Sequence, residues 1–117
     1  KTTTVVDPHG IEIDVHHRLA EGYPGISTPM DEVIAHTESF VLGGVDVRGL
    51  DGPGRLIHAA IHATSPDDVK LHSLRDVAQV VLVTGADWRE AVDRVQRWRV
   101  DATFARRCRP CVGGARS

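Results

Sequence analysis

Residues 2–16 read Thr-Thr-Thr-Val-Val-Asp-Pro-His-Gly-Ile-Glu-Ile-Asp-Val-His, and their pattern predicts the fold class of the first part of the chain. The β-branched run Thr2–Val6 precedes Asp7-Pro8-His9-Gly10, in which proline fixes φ and glycine accepts a positive φ. Ile11–His16 then alternates strictly between apolar and polar residues, which is the period of a strand. The stretch therefore predicts a β-hairpin.

A second hairpin is predicted further along the chain. Ser39–Leu42 and Val45–Arg48 flank Gly43-Gly44, a dipeptide that suits the tight primed turns of hairpins. Residues 19–32 are rich in glycine and proline and predict a loop, with a short helical turn after Pro29. Residues 1–50 are thus expected to be β-rich.

From Asp51 onward the hydrophobic period changes from two to about 3.6, which predicts helices. Asp51 and Asp87 are expected to cap the first and third helices, and the second is expected to begin at Ser65 or Ser73. A short fourth helix is predicted over Asp101–Arg107. Three apolar stripes mark the expected buried faces: Leu56, Ile57, Ala60, Ile61 and Thr64; Leu71, Leu74, Val77, Ala78, Val81 and Leu82; and Trp88, Ala91, Val92, Val95 and Trp98.

The predicted architecture is α+β, with N-terminal hairpins followed by a bundle of three or four helices. A chain of 117 residues suits one compact domain, divided into a β-rich part (1–50), a helical part (51–109) and a flexible tail (110–117). No apolar run is long enough for a membrane span and the start has no signal-peptide layout, so a cytoplasmic protein is expected. The chain opens in a β-rich stretch without a methionine, which suggests that it begins inside a longer protein.

The predicted strand Ile11–His16 carries the first candidate site. Since side chains at i, i+2 and i+4 share one face of a strand, Glu12, Asp14 and His16 should point together to one side, and Ile11, Ile13 and Val15 to a core. Magnesium is usually held by one or two carboxylates together with substrate phosphates, and a strand presents such groups rigidly. The alternative interpretation is a solvent-facing strand with polar side chains.

Histidines at helical spacing form a second candidate site. His58 and His62 are four residues apart on one helix, as are His72 and Asp76 on the next. If these helices pack with the two faces together, the four side chains could bind a metal ion. In the alternative, structural interpretation, Arg55 or His62 holds Asp76 between the helices.

The C-terminal residues are basic and contain the only cysteines. Residues 89–117 hold eight arginines and three acidic residues, which could contact a polyanion or could form a solvated face. Nothing else in the sequence supports nucleic-acid binding. Cys108 and Cys111 form a single C-x-x-C without the second pair of a zinc site, so they are interpreted as incidental thiols. The motifs of serine hydrolases, P-loop proteins and dinucleotide-binding folds are absent from the sequence.

Three segments carry a family resemblance: Gly10–Leu19, Leu56–His62, and Leu71–Ala78 followed by Asp87-Trp88. In this order they resemble the C-terminal portion of the uncharacterised nucleotidyltransferase family, in the polymerase-β-like superfamily, over roughly residues 3–105. The resemblance implies that residues 1–50 are part of a nucleotidyltransferase sheet and that Asp14 is the third catalytic carboxylate, with Glu12 and His16 as its neighbours. It also implies magnesium, a nucleoside triphosphate and an unknown acceptor.

The sequence departs from that family pattern in one respect. The superfamily's Gly-Ser helix start and Asp-x-Asp pair precede this strand, and neither occurs in the 117 residues. Two-metal phosphoryl transfer needs several carboxylates, so the chain alone is expected to be inactive. Two other functions stay open: a non-catalytic module that binds a partner protein, and a histidine-rich metal-binding domain. Because an orphaned sheet edge pairs readily with another chain, self-association through the N-terminal strands is also expected.

Overall fold

The computed structural model describes residues 2–20, 27–64 and 71–101. In this part of the chain a short helix separates two antiparallel hairpins, and three longer helices follow, which confirms the predicted α+β class. The elements are β1 (Thr2–Val6), β2 (Glu12–His16), α1 (Met30–Ala35), β3 (Thr37–Leu42), β4 (Val45–Leu50), α2 (Gly52–Ala63), α3 (Leu71–Thr84) and α4 (Trp88–Arg97). None of the described helices combines the length and apolar character needed to cross a membrane.

Several sequence predictions concern residues outside the described ranges. They are residues 21–26 of the predicted loop, the helix start at Ser65, the helix over Asp101–Arg107 apart from Asp101 itself, the tail at 110–117, and the pair Cys108 and Cys111.

Both predicted hairpins are confirmed, with the turns that their residues favour. In the first, the Asp7 side chain accepts hydrogen bonds from the backbone N–H groups of His9 and Ile11, each at 2.8 Å, and Gly10 has φ +82°. In the second, Gly43 and Gly44 have φ +58° and +80°, a region that glycine adopts without the steric cost of a Cβ atom. These turns fix the registers of the two strand pairs.

The helix caps follow the sequence closely. The Asp51 carboxylate accepts a hydrogen bond from the backbone N–H of Gly54 at 2.9 Å, and the Asp87 carboxylate accepts from Arg89 and Glu90 at 3.0 and 3.3 Å. Each cap satisfies backbone donors that have no partner within the helix. The predicted starts of α2 and α4 are therefore confirmed.

The hydrophobic core lies between α1, α2 and α4. Its buried members are Val33, Ile57, Ile61, Ala91, Trp98 and Val100, with Leu50, Leu56 and Val95 among the residues packed at its edge. The first and third stripes supply Ile57, Ile61, Ala91 and Trp98 to this core, and Leu56 and Val95 to its edge. Their other four positions do not belong to it: Ala60, Thr64, Trp88 and Val92, of which the last two are about half exposed.

The prediction that Ile11, Ile13 and Val15 face a core is wrong. These residues are 44–60% exposed. The β1–β2 pair is a sheet of two strands, and in the described part of the chain no buried layer covers its apolar face.

The buried face predicted for α3 is also wrong. None of its described residues is buried, and Leu71 and Leu82 are more than 80% exposed. The side of α3 nearest α2 instead carries Ser73, Asp76 and Val80, which line a groove between the two helices. The predicted stripe at Leu71, Leu74, Val77, Ala78, Val81 and Leu82 consequently adds nothing to the buried core cluster.

A buried ion pair joins the start of α2 to α4. The Arg94 guanidinium, only 5% exposed, donates to both Asp51 carboxylate oxygens at 2.9 and 2.7 Å and to Glu90 at 2.8 Å. Burial raises the pKa of Asp51, but the hydrogen bonds and positive charge of Arg94, with the Gly54 N–H, outweigh it and leave the pKa below 3.8. Asp51 is therefore both a helix cap and the counter-ion of a buried arginine.

We expect Trp98→Phe to lower the free energy of unfolding by about 1–2 kcal/mol, because the indole N–H donates to the Glu32 carboxylate at 2.8 Å. This bond ties α4 to α1. Trp88→Phe is the matched control, since Trp88 is 57% exposed, and it should change stability by less than about 0.5 kcal/mol. Urea unfolding of both variants measures the difference, and equal effects would contradict the role given to this bond.

Candidate functional site

The polar face of β2 presents Glu12, Asp14 and His16 as the alternation predicts. The strand register pairs them with Val6, Thr4 and Thr2 on β1, and directly paired residues of antiparallel strands point to the same side. All three side chains are exposed. The hairpin thus displays two carboxylates and an imidazole along one rigid strand.

A hydroxyl of the neighbouring strand holds Asp14. Thr4 Oγ1 donates a hydrogen bond to Asp14 Oδ1 at 2.7 Å. Thr2 Oγ1 lies 3.5 Å from His16 Nδ1. A threonine hydroxyl that donates to a carboxylate restricts its rotation, so Asp14 is presented in one orientation. Sequence reasoning overlooked Thr4, although the hairpin register would have placed it opposite Asp14.

The donor atoms on this strand are compatible with magnesium shared with a substrate. Glu12 and Asp14 supply carboxylate oxygens, and magnesium is commonly bound by one or two carboxylates and completed by phosphates and water. Among the residues that the structure describes, no group of three or more His, Cys, Asp or Glu side chains is placed to hold a metal ion. A complete two-metal centre would therefore need ligands beyond this face.

A pair of histidines forms the second feature, on α2. The Nε2 atoms of His58 and His62 lie 3.1 Å apart, and the rings meet edge to face with centroids separated by 4.5 Å. Burial lowers the pKa of His58, and the charges of His62 and His16 lower it further.

These histidines line a groove of about 260 Å³ between α2 and α3. Arg55, Ala59, Ser73, Asp76 and Val80 complete its lining. Of the four predicted metal ligands, the structure brings His58, His62 and Asp76 to this groove, whereas His72 does not line it.

The prediction that Arg55 holds Asp76 between the two helices is wrong. Its guanidinium forms an ion pair with Glu38 on β3, and its Nε donates to the Leu50 carbonyl at 3.0 Å. Asp76 pairs with its neighbour Arg75 at 3.3 Å. Arg55 thus lines the groove between the helices, where the sequence placed it, but its partner is Glu38 and not Asp76.

Two arginines of the basic C-terminal region are used within the fold. Arg94 is in the buried ion pair with Asp51, and Arg97 pairs with Glu32 at 3.0 Å and with Asp93 at 3.4 Å. On α4, these two charges stabilise helix contacts.

Comparison with known proteins is informative at the family level. No curated protein and no solved structure matches the chain significantly. The sequence profile described as "Uncharacterised nucleotidyltransferase" matches residues 2–109, which include both hairpins and all the described helices. The chain therefore belongs to the uncharacterised nucleotidyltransferase family.

Proposed function

We propose that this chain supplies part of a nucleotidyl-transfer site, with Asp14 as one of its carboxylates. The reaction would move a nucleotidyl group from a nucleoside triphosphate to an acceptor. The observation that carries the proposal is the exposed β2 face, where Asp14 is held by Thr4 beside Glu12 and His16, in a chain of the uncharacterised nucleotidyltransferase family.

Each residue of this face has a proposed role. Asp14, and Glu12 beside it, would bind magnesium together with the triphosphate; when bound, magnesium neutralises charge that develops on the phosphates. Thr4 would keep the Asp14 carboxylate in its binding orientation. His16 would lie beside Asp14 at the end of the same exposed face.

The remaining ligands would come from elements outside residues 1–117. One or two carboxylates cannot fix two metal ions about 3.5–4 Å apart, and the sequence has neither the Gly-Ser helix start nor the Asp-x-Asp pair. We therefore propose that the chain is the C-terminal portion of a larger transferase and is inactive alone.

Reading the coding sequence upstream of Lys1 tests this proposal at little cost. An in-frame Gly-Ser followed by Asp-x-Asp is the expected result. A start codon directly before Lys1 would contradict it and would favour a binding module.

A second candidate function is a non-catalytic module that binds another protein, which could be a second copy of this chain. Its support is the exposed apolar surface of the first hairpin, where Val5, Ile13 and Val15 share the face opposite Asp14. Apolar faces of this kind are commonly covered by a partner.

We expect the chain to self-associate through its N-terminal strands, and Val5→Lys to weaken that association because it places a charge on the apolar face. Val6→Lys is the matched control: Val6 is similarly exposed but pairs with Glu12 on the polar face. Sedimentation equilibrium over a range of concentrations measures both. A wild-type chain that stays monomeric, or two variants that associate equally, would argue against association through this face.

A further inference from the structure

The histidine pair on α2 has the geometry of a metal chelate. His58 and His62 are one helical turn apart, so the backbone keeps their rings on one side of the helix. Their Nε2 atoms, 3.1 Å apart, converge on each other, with one ring donating to the other. The two Nε2 atoms are therefore already close together on one side of the helix.

This separation can be compared with that of two nitrogens on one metal ion. Two imidazole nitrogens, each about 2.0–2.1 Å from a tetrahedral zinc ion, lie about 3.3–3.4 Å apart. The observed 3.1 Å is a hydrogen-bond distance and is shorter by only a few tenths of an ångström. Metal binding would release the proton shared by the two Nε2 atoms and rotate the rings so that both lone pairs point to the ion. We propose that His58 and His62 bind one divalent transition-metal ion of the zinc class through their Nε2 atoms.

The groove around the pair suits a cation with open coordination positions. Asp76 lies in the lining of the same groove and adds a negative charge, while the positive charge of Arg55 is offset by its ion pair with Glu38. Within the described residues no third histidine or carboxylate converges on the pair. The ion would therefore keep positions for water or for a ligand that enters the groove. This inference does not depend on the proposed transferase function.

Zinc titration of the chain tests the proposal directly. The chain is stripped with a chelator and titrated with zinc chloride in a calorimeter, in a Cys108→Ser/Cys111→Ser background that removes the thiol ligands. We expect one zinc ion per chain. Because two linked ligands bind ~10²–10⁴-fold more tightly than one, His58→Gln and His62→Gln should each lower the affinity about 100-fold or more.

His72→Gln is the matched control, since His72 lies on α3 but does not line the groove, and it should leave zinc affinity unchanged. Far-ultraviolet circular dichroism of each variant checks that it is folded; His62 is exposed, so His62→Gln should fold even if His58→Gln does not. Cobalt(II) provides a second readout, because bound cobalt should develop visible absorption that is lost in His62→Gln.

Three results would overturn the proposal. The first is the absence of zinc binding in the stripped chain, and the second is an unchanged zinc affinity in folded His62→Gln. The third is a loss of zinc affinity in His72→Gln as large as that in His62→Gln. None of these measurements uses transfer activity, so a failed metal site and a failed transferase assignment can be told apart.

Discussion

Replacing Asp14 by asparagine is expected to slow magnesium-dependent nucleotidyl transfer about 10³-fold or more in the protein encoded by the natural gene. Asparagine keeps the size of the side chain but removes the charge that binds the metal. Loss of several kcal/mol of transition-state stabilisation corresponds to a rate loss of this order, since each 1.36 kcal/mol is about tenfold. Release of pyrophosphate from a mixture of nucleoside triphosphates, with an extract of the natural source as the supply of acceptor and with and without magnesium, measures it.

Two further variants separate the role of Asp14 from general damage to the hairpins. Asp46→Asn removes an exposed carboxylate from β4 and should leave turnover unchanged. Thr4→Val removes the hydroxyl that holds Asp14 and should lower kcat about tenfold without abolishing transfer, as expected for one hydrogen bond to a charged group. Normal turnover in folded Asp14→Asn would refute the assignment of this carboxylate.

The local structure of this chain was predictable because short-range chemistry determines it. Gly43-Gly44 permits a primed turn, Asp7 with Gly10 closes the first hairpin, and Asp51 and Asp87 accept backbone hydrogen bonds at helix starts. Each signal acts within four residues. The alternation of β2 likewise placed Glu12, Asp14 and His16 on one face without any knowledge of tertiary packing.

Burial was less predictable, because it depends on which element covers a face. Ile13 on β2 and Leu71 and Leu82 on α3 satisfy the period of a buried face, yet they are exposed in the structure. Periodicity tells which residues share a side of a strand or helix, but it does not supply the neighbouring layer. The same limit applies to the groove, where Asp76 faces α2 and His72, four residues earlier, does not line it.

The buried ion pair could not be predicted either, because Asp51 and Arg94 are 43 residues apart in sequence. The sequence identified Asp51 only as a helix cap and placed Arg94 in a basic helix that could contact a polyanion. In the fold, one carboxylate serves both the backbone of α2 and the guanidinium of α4. A substitution at Asp51 therefore acts on two elements at once.

We expect Asp51→Ser to lower the free energy of unfolding by about 3 kcal/mol, although serine is itself a good helix cap. Serine can still accept the hydrogen bond from Gly54, so the loss isolates the charge. The substitution leaves the Arg94 guanidinium, which is 5% exposed, with Glu90 as its remaining carboxylate partner. Urea denaturation at neutral pH measures the loss, and a change below about 1 kcal/mol would show that the cap is the only contribution of Asp51.

The double variant Asp51→Ser/Arg94→Met distinguishes an unpaired buried charge from lost packing. If Asp51→Ser lowers the stability because the Arg94 guanidinium has lost its partner, then removing Arg94 as well should restore part of the stability. The methionine side chain is apolar and of similar length, so its burial carries no desolvation penalty. The single variant Arg94→Met gives the reference value. If adding Arg94→Met to Asp51→Ser lowers the free energy of unfolding as much as Arg94→Met does in the wild-type chain, the two residues act independently.

The pH dependence of the same comparison gives a separate check. Since the pKa of Asp51 is below 3.8 in the folded chain, the carboxylate's contribution is present above pH 3.8 and is lost as the pH falls through the lower, folded-state value. The stability difference between the wild-type chain and Asp51→Ser should therefore shrink on acidification below pH 3.8. A difference that stayed constant there would mean that the ionised Asp51 is no better stabilised in the folded chain than in the unfolded one, and Arg94 could not then be its counter-ion.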